Sequence, residues 1–577
     1  MEGNLTTLPV TEETIRKAEE TLLAYRAAKA PLEARLLENE QWYRLRHWST
    51  MRRNPGDPEP ASAWLLNCIA NKHADAMDNV PEPYVLPREE GDAPDAEALS
   101  AILPVVMELN EYEQVYSDVW WAKLKGGTGV TGVFWNPDGA DGLGDVDIRK
   151  VELLRLYWEP GVSRLQASRN VFHVESVPNE TLIDRWPFLR GRLNGSALTD
   201  SALPPSAQTG ERSVVVDWYY KRRCGGRTVV HYAKFVCGNL LYASENDERY
   251  RLRGYYDHGL YPFVFDTQFV EPDSPAGFGY IDVCKQPQMY IDRLNQVILK
   301  GALMAARPRF FIRSDGSINE QEYADWTRDF VHFQGGSSPQ ESIRQIDVRG
   351  PDAVLVRILS DKIEELKETS GNRDFSQGSA ASGVTAAGAI MALQDAGGKL
   401  SRDMLKSSYR AFTKVCELCV ELIRQFYDEP RCFRILGEAA SIREEHGSSR
   451  WATPKDIAPF GDAKDPNNNI ILTDNARIRP RVEDGLYRKP AFDIKIRPQR
   501  SAPMVMSARN EMAREFYKMG FFDPANAEQA LGCLEMMEFE GKPQMIELLR
   551  RRRGALVPAA ENKGLTLRAG SDAAGMV

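Results

Sequence analysis

The chain has 577 residues, of which 42% are hydrophobic and 27% charged, a composition typical of folded globular proteins. At roughly 150 residues per domain, this length predicts about four structural units. The composition excludes a wholly disordered chain, a collagen-like chain and a small disulfide-stapled scaffold. The net charge of −9 disfavours a protein that binds nucleic acid over its whole surface, although it is compatible with a local basic patch.

The cysteines and the hydropathy of the chain indicate the cellular compartment of the protein. The eight cysteines are scattered along the chain, and the first thirty residues lack the apolar segment of a secretory leader. No apolar run reaches the roughly 18 residues that a membrane span needs. These features predict a reduced intracellular protein with no membrane partner.

The first half of the chain changes from helical to strand-like patterning. Apolar spacing predicts three helices: Glu12 to about Trp48 with a break at Pro31, Ser62 to Asp78, and Ala96 to Lys125. Four prolines make a helix unfavourable between residues 81 and 94. Residues 130–275 are rich in Val, Phe, Tyr and Trp in short runs separated by turn residues, which predicts a β-rich region.

The second half is mainly helical in pattern. Long helices are predicted at Ile281–Ala306, at Asp352–Glu368, and at Thr385–Tyr427 with an interruption at Gly397-Gly398. A short mixed segment (309–350) and a small, polar, flexible one (371–384) separate them. Strands and loops are predicted for residues 431–500, followed by three short helices: Ser507–Met519, Asp523–Glu540 and Pro543–Arg553.

Gly127, Gly129 and Gly132 reproduce the spacing of a dinucleotide-binding loop. Such a site needs a strand before the loop and a helix after it, so that the phosphates meet a helix N-terminus. Here helix-forming residues come before the glycines and strand-forming residues after them. The pattern therefore favours a helix-to-strand turn, with a phosphate site as the alternative.

Other motifs indicate structure rather than catalysis. Cys416 and Cys419 have CxxC spacing, but they fall on the apolar face of a predicted helix and no second pair accompanies them, which favours core packing over zinc. His173 and His231 lie in strand-like runs and are interpreted as structural. No nucleophile, cofactor or metal motif stands out, so we predict no catalytic, cofactor-binding or metal site and no enzyme activity.

Four consecutive arginines, Arg550, Arg551, Arg552 and Arg553, close the last predicted helix. Basic residues at a helix C-terminus interact favourably with the helix dipole. Four of them exceed what a cap needs, so a patch that contacts phosphate groups is the second interpretation.

Four segments, in the order in which they occur, resemble portal proteins of tailed bacteriophages, in the version common in siphophages and prophages. They are Ser62–Glu89, Gly126–Pro137, Gly277–Arg313 and Gly378–Ala411. The resemblance covers most of residues 40–430. No single segment is diagnostic, and the ordered set carries the resemblance.

The resemblance implies a multidomain α+β portal fold that assembles as a cyclic ring, usually of twelve subunits, around a central channel. It implies these parts: an N-terminal wing (1–280, helical to about residue 125 and β-rich over about 130–275), a first stem helix (281–306), a clip (307–350), a second stem helix (351–370), a channel loop (371–384), a long kinked wing helix with returning β segments (385–500), a helical crown (501–555) and a disordered tail (556–577).

The resemblance also assigns expected roles to individual residues. The channel-lining stem residues are Arg357, Asp361, Glu364, Glu365 and Glu368. The channel-loop residues that meet DNA are Arg373, Asp374, Gln377, Ser379 and Ser382. The clip residues that dock the packaging motor or the tail adaptors are Ser314, Asp315, Asn319 and Glu320, and Arg550–Arg553 of the crown contact packaged DNA. For the stem acids, a solvated helix face or ion pairs between subunits are equally open interpretations.

The implied function is passive conduction of double-stranded DNA, bound weakly and without sequence preference, during packaging and ejection. The large terminase subunit would hydrolyse ATP. The other implied partners are a head–tail adaptor protein and the major capsid and scaffolding proteins, with assembly in the host cytoplasm and a final place at the portal vertex of the virion. Two alternatives remain: a nucleotide-binding enzyme built on Gly127–Gly132, and a capsid scaffold protein without a channel.

Overall fold

The computed structural model of the chain divides into two units, residues 1–499 and 500–577. It describes residues 9–52, 54–193, 200–202, 211–224, 226–306, 309–312, 319–325, 332, 343–346, 352–371, 399–427, 431–433, 470–472, 481–483, 486–500, 515–516, 518–520 and 531. None of the helices in these ranges is long and apolar enough to cross a membrane.

The described part of the first unit contains both long and short α-helices. They are α1 (Glu12–Tyr43), α2 (Trp64–Met77), α3 (Ala93–Leu109), α4 (Tyr112–Gly126), α5 (Asn179–Arg185), α6 (Tyr280–Ala306), α7 (Glu320–Ala324), α8 (Ala353–Ser370) and α9 (Lys399–Phe426). The three long helices predicted in the second half of the chain correspond to α6, α8 and α9. Residues 385–398 of the third prediction lie outside the described residues.

The predicted break of the first helix at Pro31 is wrong, because α1 passes through this residue. An internal proline costs a helix about 3 kcal/mol, and contacts on both sides of it offset that cost. Lys29 Nζ donates to the carbonyl oxygens of Leu153 (2.5 Å) and Leu156 (2.8 Å). Arg35 donates to the carbonyl oxygen of Gly277 (2.7 Å).

Two further helix bounds differ from the prediction. The first helix ends at Tyr43 rather than near Trp48, because the side chain of His47 forms a buried hydrogen bond with Asp292. The helix predicted at Ala96–Lys125 is two helices, α3 and α4. Asn110 ends the first by bonding backbone groups of the neighbouring strand, and Glu111 takes a left-handed conformation (φ 48°) that turns the chain.

Residues 128–267 contain eight of the sixteen strands in the described part of the chain, in agreement with the predicted β-rich region. A three-stranded antiparallel sheet has the order β3 (Asp145–Val151), β2 (Thr128–Asn136), β9 (Phe263–Thr267). A five-stranded antiparallel sheet runs in chain order through β4 (Leu156–Trp158), β5 (Asn170–Pro178), β6 (Arg212–Cys224), β7 (Arg227–Val236) and β8 (Asn239–Ala243).

The remaining strands form two-stranded pairs: β1 (Asn79–Pro87) with β16 (Phe492–Arg500), β10 (Arg309–Ile312) with β11 (Ile343–Ile346), β12 (Arg431–Phe433) with β13 (Ile470–Leu472), and β14 (Arg481–Glu483) with β15 (Leu486–Arg488). Strands and loops were predicted for residues 431–500. The first of these pairs joins that part of the chain to the N-terminal region, which the sequence pattern did not indicate.

The main core lies between the helices α2, α3, α4 and α9 and the sheet β3-β2-β9. Cys416 and Cys419 are fully buried in it, near Phe412 and Ile423. Burial raises the pKa of both thiols. Their predicted role in core packing is confirmed, and no group of three His, Cys, Asp or Glu residues in the described part of the chain is placed to hold a metal ion.

Candidate functional site

The helices α6 and α8 pack against each other and against α2. Ile291 of α6 and Leu366 of α8 are fully buried together with Cys68 of α2. Lys362 Nζ of α8 lies 5.8 Å from the centre of the Tyr290 ring on α6. Between the two helices, the strands β10 and β11 form an antiparallel pair, and α7 lies in the segment that joins these strands.

Both helices of this pair expose large apolar side chains. Their exposed fractions range from 39% to 59%, and the residues are Tyr290, Val297, Leu299 and Leu303 on α6 and Val354, Val356 and Ile358 on α8. Single exposed apolar residues are normal, but a concentration of them on one feature is typical of a surface that contacts another protein. The pair therefore has the character of an interface.

The five predicted stem residues, Arg357, Asp361, Glu364, Glu365 and Glu368, are all exposed on α8. Lys362 Nζ lies 2.5 Å from a carboxylate oxygen of Glu365, and Lys367 Nζ lies 3.4 Å from one of Glu364. Such pairs within one helix contribute only about 0.2–0.5 kcal/mol each. The helix carries three basic and four acidic side chains, so its exposed side is close to neutral.

The C-terminal half of α6 carries fewer charged side chains than α8. After Arg293, the only charged residue of the helix is Lys300, whose Nζ lies 2.7 Å from a carboxylate oxygen of Asp57. The last three turns of α6 therefore present an almost uncharged surface. Together with the near balance on α8, this gives the helix pair very little net charge.

A buried polar cluster fixes the N-terminal half of α6 to the rest of the first unit. One carboxylate oxygen of Asp292 lies 2.5 Å from His47 Nδ1. The other accepts hydrogen bonds from the backbone N–H (3.0 Å) and hydroxyl (2.8 Å) of Ser62 and from Nε2 of Gln288 (3.1 Å). The ring of Trp42 stacks on His47 at 4.6 Å. Because this carboxylate is fully buried and fully bonded, it sets the position of α6.

Glycines bring the segment just before α6 into backbone contact with the C-terminal end of α4 and with Phe269. Gly127 ends α4 with φ +86°, and a Cβ atom there would lie 2.3 Å from the carbonyl carbon of Phe278. A Cβ on Gly277 would lie 1.8 Å from the backbone oxygen of Phe269, and one on Gly279 would lie 2.7 Å from the nitrogen of Gly127. We call Gly127, Gly277 and Gly279 the glycine crossing.

Close packing accounts for Gly127 and Gly129 of the GxGxxG pattern. Gly127 sits in a helix-to-strand turn between α4 and β2, as predicted, and a Cβ on Gly129 would lie 2.4 Å from the carbonyl oxygen of Val119. The order of elements places no helix N-terminus after the loop, which a dinucleotide site requires. The spacing of these glycines follows from close packing.

The helix α9 is held to the core by a buried lysine. Lys123 Nζ lies 2.7 Å from a carboxylate oxygen of Asp266 and donates to the hydroxyl of Ser408 at 2.8 Å. The Ser408 hydroxyl in turn donates to the other oxygen of Asp266. Burial lowers the pKa of Lys123, while Asp266 opposes that shift. This cluster connects α4, β9 and α9.

Many predicted site residues lie outside the described residues. They are Arg373, Asp374, Gln377, Ser379 and Ser382 of the channel loop, Ser314 and Asp315 of the clip, and Arg550, Arg551, Arg552 and Arg553 of the crown. Of the other two clip residues, Asn319 caps α7 by accepting a hydrogen bond from the backbone N–H of Glu322, and Glu320 is the first residue of that helix.

The two predicted structural histidines are buried and bonded. His173 Nδ1 lies 3.4 Å from a carboxylate oxygen of Asp217, and His231 Nδ1 lies 3.0 Å from the hydroxyl of Ser244. Burial lowers the pKa of His231 to about 4. Both sit inside the five-stranded sheet, and their structural interpretation is confirmed.

Sequence reasoning missed the residues that position the helices, above all Asp292, His47 and Lys123. All three side chains are fully buried, although Asp and Lys are ordinarily exposed. A signal was present for Lys123, which lies within the apolar run Val119-Trp-Trp-Ala-Lys-Leu124. Nothing in the local pattern links His47 to Asp292, because 245 residues separate them.

Comparison with models of known protein families identifies a match over most of the chain. A family model described as phage P22-like portal protein matches residues 73–260 and 278–563, which is most of the chain. The match continues to residue 563, well beyond the range 40–430 in which the sequence resemblance was found. No curated protein matches the chain.

Proposed function

The chain belongs to the family of phage P22-like portal proteins, and we propose that it forms a closed ring, expected to contain twelve subunits, at one vertex of a tailed-phage capsid. DNA is packaged and ejected through the channel of this ring. The observation that carries the proposal, beside family membership, is the exposed apolar surface of the pair α6–α8. A ring needs two different complementary faces on each subunit, and apolar residues on both helices supply material for such faces.

The low charge of the helix pair fits a conduit. Each phosphate group that Lys or Arg neutralises adds salt-dependent affinity for DNA, so a basic channel would retain its cargo. We propose that Arg357, Asp361, Glu364, Glu365 and Glu368 face the channel and that the exposed apolar residues of α6 face a neighbouring subunit. DNA is then bound weakly and without sequence preference.

The parts of a portal are proposed for this chain as follows: wing 1–280, stem helices at 281–306 and 351–370, clip 307–350, channel loop 371–384, kinked wing helix with returning β segments 385–500, crown 501–555 and a C-terminal tail. The clip would dock the large terminase subunit and the head–tail adaptor. ATP hydrolysis belongs to the terminase in this scheme, and the portal also nucleates procapsid assembly with the scaffolding and major capsid proteins in the host cytoplasm.

The interface is tested by placing a charge in it. Leu303→Asp changes a residue of α6 that is 49% exposed, and Leu252→Asp is a matched control at a residue outside the stem helices that is 57% exposed. Both variants should fold, because neither side chain is buried in the subunit. Size-exclusion chromatography with light scattering should show rings for L252D and smaller species for L303D. Equal assembly by the two variants would contradict the proposed interface.

The channel face is tested by reversing its charge. A variant with Glu364, Glu365 and Glu368 replaced by Lys is compared with one in which three exposed acids elsewhere, Glu113, Glu180 and Glu248, are replaced by Lys. The net charge of the two variants is identical. Rings of the first should bind double-stranded DNA more tightly, with a salt dependence that steepens by about 0.9 in log–log slope for each new phosphate contact. Equal binding by both variants would refute the assignment of this face.

A further inference from the structure

One face of α2 carries three polar side chains in a row. Cys68, Lys72 and Asp75 follow each other at spacings of four and three residues, so they lie above one another on the same side of the helix. Cys68 and Lys72 are buried, at 3% and 4% exposure. Their partners are Ser370 and Ser401, which are the last residue of α8 and the third residue of α9.

The first contact lies where α8 ends. The Cys68 thiol donates to the hydroxyl of Ser370 at 3.2 Å, and that hydroxyl donates to the carbonyl oxygen of Lys367 at 3.1 Å. Gly371 then closes the helix in the left-handed conformation (φ 68°). Ser370 is fully buried, so the last residue of α8 is fixed against α2.

The second contact lies where the described part of α9 begins. Lys72 Nζ donates to the hydroxyl of Ser401 at 3.0 Å, and this hydroxyl donates to a carboxylate oxygen of Asp75 at 2.8 Å. The serine therefore bridges a buried ammonium group and a carboxylate of the same helix. Burial lowers the pKa of Lys72, and Asp75 opposes that shift.

The same arrangement recurs seven residues further along α9, where Ser408 accepts from Lys123 and donates to Asp266. The two bridges differ in burial. Asp266 is 6% exposed, whereas Asp75 is exposed to solvent. Water competes for Asp75, so the bridge at Ser401 is the weaker of the two, and it can be removed while the bridge at Ser408 keeps the rest of α9 in place.

We propose that α2 is a clamp for the chain segment that joins α8 to α9, with Cys68, Lys72 and Ser401 as its positioning residues. Cys68 and Lys72 are four residues apart, so the two ends of the segment are held about 6 Å apart along the axis of α2. The role in the channel rests on the proposed function, in which this segment contains the channel loop. The clamp itself rests only on the contacts above.

The clamp also connects the segment between α8 and α9 to the N-terminal half of α6. The backbone N–H of Leu65, in the first turn of α2, donates to Oε1 of Gln288 at 3.1 Å. Gln288 is fully buried and bonds Asp292 of the polar cluster described above. A displacement of the segment ends would therefore shift α2 against the helix that we assign to the stem.

The clamp predicts a fixed distance between the ends of α8 and α9. Spin labels are attached through p-acetylphenylalanine introduced at the exposed positions 369 and 403, and labelled subunits are diluted with unlabelled ones before pulsed electron paramagnetic resonance. The wild-type background should give one narrow distance distribution. Ser401→Ala and Lys72→Met should broaden it. Thr413→Ala is the matched control, because the Thr413 hydroxyl donates to the carbonyl oxygen of Tyr409 in its own helix and links to no other element among the described residues.

Hydrogen exchange of the full chain provides the second readout. In S401A, the amides of residues 399–404 should exchange roughly tenfold faster, which is about the effect of one lost hydrogen bond to a charged group. The amides around Ser408 should keep their protection, and this protection shows that S401A is folded. Equal distance distributions and equal exchange in S401A and T413A would overturn the clamp. A clear effect of S401A in a protein that forms no ring would leave the clamp standing and refute the proposed function instead.

Discussion

Gly127→Ala tests whether the glycine crossing holds the start of α6 in place. The backbone of Gly127 has φ +86°, a conformation that costs a residue with a Cβ atom about 1–2 kcal/mol. The new Cβ would also lie 2.3 Å from a backbone carbon of Phe278. Relieving an overlap with backbone costs about 1–3 kcal/mol. The free energy of unfolding should therefore fall by about 2–5 kcal/mol.

Gly161→Ala isolates the conformational part of this cost. Gly161 has φ +79°, but a Cβ atom there would meet no atom within 4 Å. It should lose only about 1–2 kcal/mol. Urea unfolding followed by tryptophan fluorescence is suitable, because Trp120 and Trp121 belong to the helix that Gly127 ends. A G127A variant no less stable than G161A would refute the steric argument, and loss of nucleotide binding without loss of stability would revive the phosphate-site interpretation.

Two further predictions concern buried ionisable groups. Asp292→Ala removes the partner of His47 Nδ1 and of the backbone N–H of Ser62. It should lower the free energy of unfolding by about 3–5 kcal/mol, while the isosteric Asp292→Asn should cost less; urea midpoints of the two variants check this order. Burial lowers the pKa of His231 from 6.5 to about 4. Between pH 6.5 and about pH 4, the unfolded chain therefore binds a proton at this histidine, whereas the folded chain does not. The free energy of unfolding should fall by up to about 3 kcal/mol as the pH drops through this range. The melting temperature of His231→Asn should depend less steeply on pH than that of the wild type. Parallel pH profiles of the two proteins would contradict this prediction.

The sequence indicated the elements well where one pattern dominates. The long helices α6 and α8 were predicted with bounds within two residues, because their apolar stripes are regular and a proline or glycine follows each. The turn at Gly127 was predicted from the order of helix-forming and strand-forming residues. Both predictions rest on residues that are neighbours in the sequence, and tertiary packing does not override their preferences.

Long-range contacts account for what was missed. Pro31 does not break α1, because Lys29 and Arg35 bond the backbone of segments that lie more than 100 residues away. The clusters of Asp292 and of Lys123 are formed by residues from different elements, so no window of sequence contains them. Of the expected stem residues, all five lie on the exposed side of α8. Their charge balance could be read from the sequence, but the exposed apolar surface beside them required the packing of α6 on α8.

The central claim is that subunits of this chain close into a ring around a channel, and electron microscopy of the purified full-length protein tests it most directly. End-on views should show closed rings of uniform subunit number, with a central opening wide enough for a B-form DNA duplex. Monomers or open, irregular oligomers, even at high protein concentration and with scaffolding protein added, would contradict the claim and favour a capsid protein without a channel.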